Sequence, residues 1–140
     1  MIERRGNLWR ESGWKLIPTG GVLQMSKIGP RLVMGEGFAA EALLQYPDID
    51  KVWGERICRH GNMPYPINEK LLINFPVRHH NYGSLDLALI RASSQWIASW
   101  ACRTDPDEIF VPMMGGRSWR QVRPLLEGIL DDRFVVLSQV

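Results

Sequence analysis

Ile109-Phe110-Val111-Pro112-Met113-Met114-Gly115-Gly116-Arg117-Ser118-Trp119-Arg120-Gln121-Val122-Arg123-Pro124-Leu125-Leu126 carries three signals in a row. A short apolar run stops at a proline, a glycine pair follows, and Val122, Leu125, Leu126, Ile129 and Leu130 then recur at helical spacing on one face. Ser118 with Gln121 fits a capping box for that helix. Pro124 lacks an amide proton so soon after the start that an irregular first turn is expected. Phe134-Val135-Val136-Leu137 reads as the next strand.

The same alternation continues outward. Trp14-Lys15-Leu16-Ile17 and Leu71-Leu72-Ile73-Asn74-Phe75 are further β-type runs, and their near-continuous apolarity predicts strands covered on both faces. Between Leu85 and Ala101, helical spacing gathers Leu85, Leu89, Ala92, Trp96 and Trp100 on one stripe, with Arg91, Ser94 and Gln95 outside it and Ser84 as N-cap. Another helix runs from about Gly37 to Tyr46 and stops at Pro47, which disfavours helical geometry in the residue before it. Met63–Pro66, with Pro64 and Pro66 close together, reads as loop. Strand and helix in alternation predict a layered α/β fold with helices on both sides of a central sheet, as one domain over residues 1–140.

Composition narrows the function classes. In 140 residues, 45% are hydrophobic and 23% charged, with 17 Lys+Arg against 15 Asp+Glu. The formal charge of +2 is scattered, so the basic stripe of a duplex-DNA reader is missing. No apolar run approaches the ~20 residues of a bilayer span, and Met1-Ile2-Glu3-Arg4-Arg5 lacks the apolar stretch of a secretory signal. A cytoplasmic location without membrane attachment is expected. Cys58 and Cys102 form no Cys-x-x-Cys pair and read as buried small hydrophobes. His79 and His80 point to opposite sides of an extended segment, and His60 with Cys58 has no second ligand pair, so no metal is expected.

Three glycine clusters hold the functional signal. Gly20-Gly21 follows Ile17-Pro18-Thr19, Gly35-Glu36-Gly37 follows Leu32-Val33-Met34 and opens a helix, and Gly115-Gly116 follows the strand quoted first. All three are expected at carboxyl ends of strands, where an open α/β sheet presents its ligand crevice. Backbone that approaches closely at glycine, with helix N-termini behind it, suits a diphosphate. The P-loop pattern and G-x-G-x-x-G are both absent, which weakens kinase, ATPase and dehydrogenase readings.

At this point the chain resembles a known family. Pro18-Thr19-Gly20-Gly21, then Val33-Met34-Gly35-Glu36-Gly37-Phe38-Ala39-Ala40-Glu41-Ala42 and Tyr46-Pro47, resemble the first ligand loop and following helix of macro domains. Ile73-Asn74-Phe75-Pro76-Val77-Arg78-His79-His80 with Ser84-Leu85-Asp86 is similar to the Phe-Pro-Thr-Lys strand and loop of the branch containing DNA ADP-ribosyl-glycohydrolases. Val111 to Leu126 resembles the family's second glycine loop and last helix. A small chain of this branch looks phage or bacterial.

The resemblance implies a three-layer α/β/α sandwich with a central mixed sheet that binds ADP-ribose or a related nucleotide, free or on an ADP-ribosylated nucleic acid or protein, with no further cofactor. Thr19, Gly20, Gly21, Met34, Gly35, Glu36, Gly37 and Phe38 would line the ligand, with Gly115, Gly116, Arg117 and Ser118 facing them. Asn7, in Gly6-Asn7-Leu8, stands where the family has an acid for the adenine amine. Gly20 replaces an asparagine and Arg78 a lysine, and the second loop is about four residues shorter than is usual. A guanidinium stays protonated, so a covalent lysine mechanism is not implied; Arg78 would anchor phosphate, and His80 would act as acid or base. Three functions follow from these departures: an ADP-ribose binding module, a hydrolase releasing ADP-ribose or a terminal phosphate, and an inactive scaffold that no longer binds nucleotide.

Overall fold

The computed structural model describes residues 1–80 and 84–138. Its strands are β1 (Ile2–Arg5), β2 (Trp14–Thr19), β3 (Leu23–Ser26), β4 (Gly29–Leu32), β5 (Pro66–Ile67), β6 (Leu72–Pro76), β7 (Ile109–Pro112) and β8 (Phe134–Ser138). Its helices are α1 (Gly37–Gln45), α2 (Ile49–His60), α3 (Leu87–Thr104) and α4 (Trp119–Glu127), with 3-10 turns at Leu8–Arg10 and Gly116–Ser118. Six strands make the central sheet in the order β1-β8-β7-β2-β6-β5, parallel throughout except for the β5–β6 pair. β3 and β4 form a separate antiparallel hairpin.

Alternate residues of each buried strand serve opposite cores. Leu16, Ile73, Phe75, Ile109, Val111, Phe134 and Val136 join Ile90, Ile97, Trp100, Val122 and Leu126 of α3 and α4 in one cluster. Ile17, Leu72, Phe110, Val135 and Leu137 join Ala39, Ala42, Ile49, Trp53 and Ile57 of α1 and α2 in the other. Two apolar faces on one sheet, each covered by a helix pair, make the α/β/α sandwich with its mixed sheet. Each such side chain contributes roughly 1.5–3 kcal/mol by leaving water. Lys15 is a buried charged residue: burial pulls its ammonium below the ordinary lysine range, and its Nζ donates to the Gly13 carbonyl at 3.0 Å.

Several local expectations change. α3 begins later, because Asp86 rather than Ser84 is the N-cap, its Oδ1 accepting from the Leu89 amide at 3.1 Å. The buried stripe of α3 is Ile90, Ser93, Ser94, Ile97, Trp100 and Ala101, so Ser94 lies inside. Its hydroxyl donates to the Ile90 carbonyl, which lets a small polar residue replace an apolar one there. Cys58 and Cys102 are exposed. Ser118 makes no capping bond, and the irregular turn expected before Pro124 is the 3-10 turn Gly116–Ser118. Gly35 follows the β3–β4 hairpin rather than a strand of the central sheet. Among the described residues no helix is long and apolar enough to cross a membrane, and no group of three or more His, Cys, Asp or Glu is placed to hold a metal.

Candidate functional site

Because five strands run parallel, their carboxyl ends share one edge, and short bonds tie that edge together. The Val77 amide donates to the Thr19 carbonyl at 3.0 Å, and the Asp86 amide to the Val77 carbonyl at 2.9 Å. The buried Ser93 hydroxyl donates to the Pro76 carbonyl at 3.0 Å. Above this floor opens a cleft of about 480 Å³, within the range of small-molecule sites. Pro18 to Gly20 at the end of β2, Val33 to Ala39, Val77 and Arg78 beyond β6, Leu85, and Met114 to Gly116 beyond β7 line it. Turns far apart in the chain therefore meet at one place.

The chemistry of that cleft is mostly backbone. α1 starts at Gly37, and Glu36, its N-cap, makes no side-chain capping bond. The first amides of a helix have no partner within it, so those of Gly37 to Ala39 leave donors and a partial positive charge at the cleft wall. Across from them Gly115 and Gly116 both adopt positive φ, 82° and 53°, on the way into α4. Arg78 is the one cation among the described lining residues and Glu36 the one carboxylate. An anion fits such a wall; a cation does not.

Arg78 sits on a braced loop. Asn62 Nδ2 donates to the Arg78 carbonyl at 3.3 Å and stands 3.3 Å from His79 Nδ1. With that nitrogen accepting, the ring proton lies on Nε2, which faces Asp86 Oδ2 at 3.8 Å. The segment that follows Asn62 is held in turn: buried Asn74 accepts from the Tyr65 amide at 2.6 Å and donates to the Met63 carbonyl at 2.9 Å. Tyr65 donates its phenol proton to the Gly61 carbonyl at 2.7 Å, and burial raises that phenol above its usual pKa. No sequence motif marks Asn62. The available signal was Gly61, which ends α2 at φ 100° and hands the chain to Asn62.

Of the residues expected at the ligand, Thr19, Gly20, Met34, Gly35, Glu36, Gly37, Phe38, Arg78, Gly115 and Gly116 line the cleft. The structure places the others elsewhere. Gly21 packs on Asn62: a Cβ there would stand 2.6 Å from Asn62 Nδ2. Asn7 caps the first 3-10 turn, its Oδ1 accepting from the Trp9 amide at 2.9 Å. Arg117 lines a neighbouring hollow, while Ser118 and the exposed His80 line neither.

This architecture is that of a macrodomain. The macrodomain of Thermus aquaticus DarG superposes with a TM-score of 0.76 at 17% identity, over 98% of this chain and 97% of that one. The macrodomain of Mycobacterium tuberculosis DarG gives 0.75 at 20% identity, over 97% and 95%. Thermosipho africanus DarTG, solved in complex with ADP-ribose, gives 0.77 at 19% identity; 96% of this chain matches 40% of that longer one. No family model and no curated protein sequence matches the chain.

Proposed function

We propose that this protein is a binding module for ADP-ribose or for a ligand that carries it. One observation bears the weight: glycine turns from three separate parts of the chain line a single open cleft whose walls are backbone donors and one arginine. That cleft suits a diphosphate between the start of α1 and the Gly115–Gly116 turn, with Arg78 on a phosphate oxygen. The likeness to a protein solved with ADP-ribose supports the choice of ligand. Binding is favoured over turnover because the described lining offers no histidine, cysteine or lysine, a guanidinium is a poor proton acceptor, and Glu36 is left as the one described lining group able to take a proton. An open cleft argues equally against a scaffold that has lost its ligand. ADP-ribosylated nucleic acid or protein are the macromolecular partners this reading implies.

Calorimetry with ADP-ribose, AMP and ATP tests it. ADP-ribose should bind tightest, and equal or absent heat for all three overturns the proposal. Incubation with ADP-ribosylated DNA, ADP-ribosylated protein and ADP-ribose 1''-phosphate should show no release above that of a Gly35→Glu control.

A further inference from the structure

A second hollow, of about 800 Å³, opens beside the cleft and is lined by Phe38, Met113, Gly116, Arg117, Trp119 and Arg120. Phe38 and Gly116 line both spaces, so the two abut. Its polar chemistry is one-sided. Arg117 and Arg120 are exposed and form no ion pair among the described residues, and no carboxylate is present in the lining. Trp119 lends the hollow its ring, while its unpartnered indole Nε1 is buried. Guanidinium groups donate and never accept, so an occupant that pairs with Arg117 and Arg120 must supply acceptor oxygens and negative charge. Two guanidiniums over apolar walls match a phosphate, which offers them paired oxygens.

We infer that this hollow is a phosphoryl subsite, taking a phosphate group that the ligand carries beyond the part seated in the cleft. The inference rests on the ADP-ribose reading for the first half of the ligand; the second half is argued from the hollow alone. The phosphate has two possible sources: a monoester on the terminal ribose, or the phosphate of a group joined to that ribose.

Titration calorimetry separates them. ADP-ribose is compared with a form ending in a monoester on the terminal ribose and with a form joined there to a nucleoside phosphate. At least one phosphorylated form should bind roughly tenfold tighter than ADP-ribose, the gain expected of charge-assisted hydrogen bonds. Which form gains identifies the source. Arg120→Glu should erase the gain and leave the affinity for ADP-ribose within about twofold. Equal affinity for all three ligands, or a gain that survives the Arg117→Glu/Arg120→Glu pair, overturns the inference.

If ADP-ribose itself does not bind, the earlier proposal fails, and the subsite is read with phenyl phosphate alone. The Trp119 indole N–H resonance, assigned with Trp119→Phe, should then shift at millimolar probe in the wild type and stay fixed in Arg120→Glu. A wild-type resonance that does not move overturns the inference.

Discussion

Gly54 and Gly35 are both glycines near the β3–β4 hairpin, and they are glycine for opposite reasons. At Gly54 an added Cβ would lie 2.5 Å from the Pro30 carbonyl oxygen and 2.7 Å from both Arg31 Cα and Leu32 N, because α2 rides directly on β4. At Gly35 an added Cβ meets nothing within 4 Å, and φ is not positive. Packing accounts fully for the first; neither packing nor backbone geometry accounts for the second. What remains at Gly35 is the space in front of it, the cleft. An unexplained glycine facing an open cavity is therefore better evidence for a ligand than a glycine in a tight turn.

The largest expected effect puts this contrast at risk. Gly35→Glu fills the cleft and adds a charge that repels phosphate, so ADP-ribose affinity should fall by about 100-fold or more, some 2.7 kcal/mol. The variant should keep its circular dichroism spectrum and melting temperature. Unchanged affinity in calorimetry would remove the ligand from this position. Next comes the pair Gly54→Ala and Gly35→Ala. Alanine ordinarily strengthens a helix by up to ~1 kcal/mol over glycine, yet the backbone contacts at Gly54 should reverse the sign and cost about 2 kcal/mol in urea unfolding. Gly35→Ala should leave stability within about 0.5 kcal/mol. Equal stability of the two variants would mean that α2 does not press on β4 as described.

A smaller effect is expected at Arg78. Its guanidinium is the single cation in the described lining of the cleft, so Arg78→Ala should weaken ADP-ribose binding by roughly tenfold, the range for a charge-assisted bond. A full-affinity Arg78→Ala protein would show that backbone amides alone hold the phosphates.

These residues also show what the sequence made legible. The four apolar runs were readable because buried parallel strands are apolar on both faces, and their extents match within one or two residues. β1 was not, since Ile2–Arg5 is exposed along its whole length and has no hydrophobic pattern to find. α2 escaped for a related reason: Ile49, Trp53 and Ile57 are interleaved with Asp50, Glu55, Arg56 and Arg59, and Gly54 interrupts the helical signal. Glycine clustering disclosed the cleft, because turns that approach a ligand closely need small residues. It misplaced Gly21, whose reason is the long-range neighbour Asn62, and pairing between residues distant in sequence leaves no mark on either.

That pairing supplies the most delicate test. In Gly21→Ala the new Cβ would stand 2.6 Å from Asn62 Nδ2 and 3.2 Å from the His79 carbonyl oxygen. Since the Asn62 amide is the movable partner, it should swing away and release the Arg78 carbonyl and His79 Nδ1. Asn62→Ala breaks the same two contacts by deletion, so each single variant should lose about 1 kcal/mol of stability. The double variant has no amide left to displace and should lose little more than either single one, a coupling of about 0.5–1 kcal/mol in a double-mutant cycle. Losses that simply add would separate Gly21 from Asn62 and return Gly21 to the ligand. The same cycle, followed through ADP-ribose affinity, should show a decline of only a fewfold, because the brace orients the loop that carries Arg78 without itself lining the cleft.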